Sequence, residues 1–144
     1  MILSFIIGLQ DHEAAFEPDR RRDSDFAVEH WRDLQHRCAE RHGIMLIAEE
    51  DAKPVGWAFA HDEKAEVFVV EPERTHGYLT ELFLLPQARG KGLGRALIEA
   101  CEAWARERGH KLLTVGVLSQ NRSAVRAYEC TGYAPYVTVM RRYL

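Results

Sequence analysis

Leu82-Phe83-Leu84-Leu85-Pro86-Gln87-Ala88-Arg89-Gly90-Lys91-Gly92-Leu93-Gly94-Arg95 is the stretch on which the fold turns. Its first four residues are a continuous apolar run, which predicts a buried strand, and Pro86 ends it because proline has no N–H to give a sheet ladder. Past the glycines, Leu93, Leu97, Ala100, Cys101, Trp104 and Ala105 recur at helical spacing, with Arg95, Glu99, Glu102 and Arg106 on the opposite face. Gly109 stops that helix.

Strand, glycine loop and helix N-terminus together make an anion site. Alternate glycines let the backbone turn tightly and approach a ligand. The first helical N–H groups lack internal partners and carry the positive end of the dipole. Arg89, Lys91 and Arg95 add positive charge beside them, which favours a diphosphate over a neutral molecule. A Walker loop would need Gly-x-x-x-x-Gly-Lys-Ser/Thr, and no hydroxyl for magnesium follows here. The dinucleotide fingerprint Gly-x-Gly-x-x-Gly does not fit either. The alternative is a glycine-rich turn that only reverses the chain.

The 144 residues are 47% hydrophobic and 28% charged, an ordinary globular balance that predicts one domain spanning residues 1–144. A formal net charge of -3 argues against a duplex nucleic-acid binder. Cys38, Cys101 and Cys130 are widely spaced and read as small core residues in a reducing compartment. The histidines form no His-Glu-x-x-His arrangement, so no metal site is expected. The apolar run Ile2 to Leu9 is broken by Ser4 and Gly8 and lacks a basic start, so neither a signal peptide nor a membrane span is expected, and cytoplasm is the default.

In chain order, Ile2, Phe5, Ile6 and Leu9 fall at i, i+3, i+4 and i+7, the spacing of an amphipathic helix. A second helix, capped by Ser24 or Asp23, has Ala27, Trp31, Leu34 and Cys38 on its apolar face and is closed by Gly43. Ile44–Ala48 and Val55–Ala60 read as a hairpin, with a polar break at His61–Lys64. Val67–Val70 either extends that hairpin or forms a separate short strand. Lys111–Val117 is a further strand, joined to a helix that opens at Asn121. Pro135–Tyr143 supplies the last strand or pair of strands. Early hairpins and a late parallel crossover predict a mixed, twisted α/β sheet of about six or seven strands with about four helices on its faces.

Two blocks carry a resemblance. Arg89-x-x-Gly92-x-Gly94, after a strand ending Leu84-Leu85-Pro86, resembles the coenzyme A pyrophosphate motif of the GCN5-related N-acetyltransferase (GNAT) superfamily. Asn121 to Tyr133, an Asn opening a helix that carries Tyr128 and ends at Gly132 plus an aromatic, looks like that family's later segment. The resemblance runs from about Ile44 to the C-terminus. Members of the family usually begin with a strand before the first helix, which here is missing, trimmed or formed by residues 1–7.

The resemblance implies acetyl-CoA as co-substrate. It sets the diphosphate on the N–H groups of Gly90, Lys91, Gly92, Leu93, Gly94 and Arg95, and the pantetheine arm beside Leu82, Phe83 and Leu84 as though it were an added strand. The sheet must then splay between Leu85 and Val115, which brings the Leu84 N–H near the acetyl carbonyl. Asn121 becomes a partner of the pantetheine arm as well as a helix cap. Tyr128 lies about two turns beyond it on the same face and becomes the acid for the leaving thiolate. On spacing alone Tyr128 is equally a core aromatic.

Glu81, which precedes the apolar run, is the candidate base, since an alkyl amine with a pKa near ~10 must lose a proton before attack. Some branches of the family place a Glu on the next strand, but Thr114-Val115-Gly116-Val117 holds no carboxylate. The alternative for Glu81 is an exposed side chain on a solvated face. The implied activity is acetyl transfer to a primary amine of a small molecule or peptide by direct attack in a ternary complex. Its rival is a non-catalytic acyl-CoA sensor or interaction module. The β-prone run Tyr136–Val139 offers an edge for a homodimer.

Overall fold

The spacing of Ile2, Phe5, Ile6 and Leu9 does form a helix, α1 (Ile2–Ala14), which buries Phe5 and Ile6. Residues 1–7 are therefore not a strand. In the computed structural model, which describes all 144 residues, α2 (Phe26–Glu40), β1 (Ile44–Glu50), β2 (Lys53–Lys64), a single helical turn α3 (Glu71–Arg74) and β3 (Thr75–Leu84) follow. A 3-10 turn at Pro86–Ala88 then leads into α4 (Leu93–Glu107), β4 (Leu113–Val115) and α5 (Arg122–Cys130). The N-cap of α2 is Asp25, not Ser24 or Asp23, and its side chain makes no cap bond; the Asp23 carboxylate accepts from the Phe26 N–H at 3.1 Å from outside that position. At the other end His42, not Gly43, takes the left-handed conformation (φ 49). The Gly43 N–H then bonds back to the Cys38 carbonyl at 2.8 Å.

The sheet has four strands in the order β1-β2-β3-β4, antiparallel except for the parallel β3–β4 pair. This corrects the expected six or seven. Residues 134–144 take no regular structure, because a strand needs a partner edge as well as β-prone residues, and this segment is held by side chains instead. Arg141 pairs with Asp19 at 2.7 Å and also with Glu17. Val67–Val70 is no strand either. The Arg74 guanidinium donates to the carbonyls of Val67 (2.8 Å) and Val69 (3.0 Å), winding the segment into a turn that leaves Phe68 83% exposed. The expected polar break at His61–Lys64 is absent, since these residues continue β2 by pairing with Tyr78, Gly77, His76 and Thr75.

Two cores sandwich the sheet. On one face Phe5 and Ile6 of α1 and Ala27 and Leu34 of α2 pack on Trp57, Phe59 and Phe83. On the other, Leu97, Ile98 and Cys101 of α4 pack on Ala58, Ala60 and Leu79, with Tyr128 of α5 and Tyr133 alongside. Odd-numbered residues of β3 should all share one face. Leu79 and Phe83 nevertheless lie on opposite faces, because Phe59 pairs with Glu81 while Ala60 pairs with Leu79, leaving Thr80 as an extra residue.

β3 and β4 pair only at Gly77–Leu113, Tyr78–Thr114 and Leu79–Val115. Just beyond, a Cβ on Gly116 would lie 2.7 Å from the Tyr78 hydroxyl, so glycine is needed where the strands part. Thr80–Leu84 is left with one edge unpaired.

Leu34 is 0% exposed and anchors α2 to the sheet. Leu34→Ala should destabilise the fold by about 3 kcal/mol, read as a lowered denaturant midpoint with an unchanged slope.

Candidate active site

The glycine loop leaves room for a ligand. Gly90 (φ 73) and Gly92 (φ 85) are left-handed, and a Cβ at either would meet nothing within 4 Å. Gly92 caps α4, whose first-turn N–H groups have no helical partners. The three cations foreseen there are exposed, and each is engaged. The Arg89 Nε donates to the Leu84 carbonyl at 3.0 Å while its guanidinium lies over the Phe83 ring at 5.7 Å. Lys91 pairs with Glu50 at 3.0 Å and Arg95 with Glu99 at 2.7 Å. Exposed pairs of this kind are worth at most about 1 kcal/mol and exchange readily, so the fixed part of the loop is its backbone.

The unpaired edge of β3 runs from this loop toward the splay. The Leu85 N–H donates to the Val55 carbonyl at 2.8 Å, so alternation along the strand turns the Leu84 N–H to the other edge, into the splay. Leu82 and Leu84 pack toward α4, whereas Phe83 is buried against Phe5 on the opposite face, ring centres 6.0 Å apart.

Asn121 is 7% exposed, and its side-chain oxygen accepts from the Ala124 N–H at 3.2 Å and from the Ser123 hydroxyl at 3.1 Å, so the cap is formed. Tyr128 is half-buried and stands edge-on to Tyr133 at 5.7 Å. Burial, reinforced by neighbouring Cys101, Tyr78 and Glu13, raises the affinity of its phenol for the proton. Tyr128 therefore carries a proton at neutral pH. The fully buried Cys101 thiol is pushed up to about 12 by its desolvation, which makes it inert.

Glu81 is 7% exposed, so it does not sit on a solvated face. It forms the floor of a pocket of about 300 Å³ with Thr80 and His30, rimmed by Glu13, Asp19 and Arg20 from α1 and the loop after it. Its Oε1 lies 2.8 Å from the His30 Nε2, and the His30 ring stacks on Phe26 at 5.4 Å and 17°. Arg20 bonds Glu13 at 2.7 Å and Asp19 at 2.8 Å across the rim. Glu81 therefore lies on the stretch of β3 that has lost its β4 partner, while Tyr128 packs with the core on the α4 side.

His30 and Thr80 were not foreseen. A signal for His30 existed, because it falls three residues after Ala27 and four before Leu34, on the buried face of α2. Thr80 gave none, since a bulge depends on the partner strand. No group of three or more His, Cys, Asp or Glu side chains is placed to hold a metal ion, and no helix is long and apolar enough to cross a membrane.

The comparisons agree with this architecture. The acetyltransferase (GNAT) family pattern matches residues 7–133, and the chain belongs to that family. Among its relatives is the uncharacterized N-acetyltransferase YhfO of Bacillus subtilis, 33% identical over 100 residues, a match covering 69% of this chain and 64% of YhfO. The chain thus spans somewhat less than two thirds of that relative's length. The fold superposes on BH1408 from Bacillus halodurans (tetramutant) with a TM-score of 0.82 at 16% identity, covering 99% of this chain and 92% of that one. An aminoglycoside N-acetyltransferase, AAC(6')-Iy in complex with CoA, gives a TM-score of 0.72 at 20% identity over 99% of this chain and 88% of its own.

Removing the cap separates its structural role from any ligand role. Asn121→Ala should lower stability by about 1 kcal/mol in the unliganded protein, measured by thermal melting, whereas Asn121→Asp should retain the cap.

Proposed function

We propose that this chain is an acetyl-CoA-dependent N-acetyltransferase that acetylates a primary amine of a small cationic molecule by direct attack in a ternary complex. The observation that carries this is the end of β3–β4 pairing at Leu79 and Val115. It opens a slot with the glycine cradle at one end and the Glu81 pocket at the other.

In this reading the N–H groups from Gly90 to Arg95 hold the diphosphate, helped by Arg89, Lys91 and Arg95. The unpaired edge at Leu82, Phe83 and Leu84 binds the pantetheine arm, with Asn121 opposite. Glu81 takes a proton from the substrate ammonium, and the freed nitrogen lone pair attacks the acetyl carbonyl while the Leu84 N–H stabilises the oxyanion. The carbon–sulfur bond breaks as the thiolate takes the Tyr128 proton. Burial keeps that phenol protonated in the resting site.

The rim supports a cationic acceptor. Arg20 and Arg141 hold Glu13 and Asp19, and Arg21 is turned to Asp23 and Glu29 at 2.7 Å each, which leaves Glu81 as the pocket carboxylate without an arginine or lysine partner. The likeness to an aminoglycoside N-acetyltransferase points the same way.

Acetyl-CoA at ~100 times its dissociation constant should stabilise the fold by about 2.7 kcal/mol, with ATP and NAD as inactive controls. No shift would refute the reading. Gly92→Glu should abolish that shift, because the new carboxylate would stand where the diphosphate binds. Tyr128→Phe should keep it while lowering turnover roughly 10²-fold, followed as thiol release with an amine panel. Unchanged turnover would remove Tyr128 from the mechanism.

A further inference from the structure

The geometry points to Thr80 and Glu81 as a preformed seat for the reacting primary ammonium of the acceptor, with His30 as the positioning residue that aims Glu81. This rests on the acetyltransferase reading and adds a chemical identity to the floor of its acceptor pocket.

The bulge makes the seat. Consecutive strand residues ordinarily point to opposite faces, but Thr80 and Glu81 line the same pocket. The Thr80 hydroxyl is buried and has no hydrogen-bond partner in the protein. An orphaned buried hydroxyl is unfavourable, which marks the position as one that a ligand completes. Beside it, the Glu81 Oε1 is taken by His30 at 2.8 Å, leaving Oε2 as the free acceptor.

The chemistry selects the guest. A carboxylate only accepts, so the His30 Nε2 must be the donor in that pair, and stacking on Phe26 fixes the plane of the ring. What the floor then offers is a free carboxylate oxygen, with an unpartnered hydroxyl oxygen buried beside it, both able to accept. A primary ammonium has three N–H donors and satisfies both with one to spare. Donation to the Glu81 Oε2 is also the path of proton loss. The proton passes from nitrogen to that oxygen, the lone pair is freed, and no other reactant is needed. An anion in the same place would meet the Glu81 carboxylate at the floor, while Arg20 is already held by Glu13 and Asp19 at the rim.

The test uses spermidine, which carries two primary ammonium ends, added to the full chain loaded with CoA so that no turnover occurs. Imidazole nitrogen spectra should show His30 as the Nε2–H tautomer, and spermidine should shift the His30 and Thr80 signals. Thr80→Val should weaken spermidine binding roughly ten-fold, the loss of one hydrogen bond, while CoA binding stays intact and the melting temperature does not fall. Thr80→Ser, which keeps the hydroxyl, should bind as the wild type does. With acetyl-CoA and spermidine, His30→Leu should lower kcat at least roughly ten-fold with a smaller change in KM, and His30→Gln, which restores an N–H donor, should recover most of the loss.

An Nδ1–H tautomer, or unchanged spermidine binding by Thr80→Val, would overturn the seat. CoA binding without any spermidine binding would overturn it while leaving the coenzyme half of the reading in place. A wild-type chain that binds no CoA would overturn the acetyltransferase reading itself.

Discussion

The parallel ladder between β3 and β4 breaks off after Leu79–Val115, and the functional features are arranged around that break. A strand edge with free backbone groups is ordinarily a liability. Here one side of Thr80–Leu84 is held by β2 while the other is left open for a ligand that can pair as a strand does. Where they diverge, a Cβ on Gly116 would run into the Tyr78 hydroxyl, so the glycine leaves that ring its place. Two cores, one on each face, keep β3 rigid although half of its ladder is missing.

The site divides its electrostatics by burial. At the exposed glycine loop, Lys91 and Arg95 are paired with Glu50 and Glu99, and water and salt screen them. What is fixed there is the direction of the backbone N–H groups, set by Gly90, Gly92 and the start of α4. Under the sheet, the buried Glu81 and the partly buried His30 face each other in a pocket, where a single hydrogen bond sets the direction of a carboxylate. The first arrangement tolerates exchange of partners, while the second holds one carboxylate in one orientation.

The phosphate loop and its helix were legible in the sequence because they are local. Glycine conformation, proline termination and helical spacing act within a few residues, so Leu82 to Gly109 can be read without its neighbours. The same holds for the Asn121 cap, whose oxygen bonds a group three residues away. The Pro135–Tyr143 strand and the Val67–Val70 strand were misread for one reason. Both are β-prone, but strand formation is decided by a partner edge, and instead Arg141 and Arg74 tie these segments down through their side chains.

The sequence by itself determined the local frame, a glycine loop that opens a helix beside a buried strand, because those features follow from short-range sterics and hydrogen bonding. Only the tertiary structure decided what faces the open end. Glu81 meets His30 across 51 positions of chain, and Thr80 turns beside it because β2 and β3 differ by one residue in register. Pairings of that range are set by how helices and strands pack, and nothing in the neighbouring residues of either partner records them.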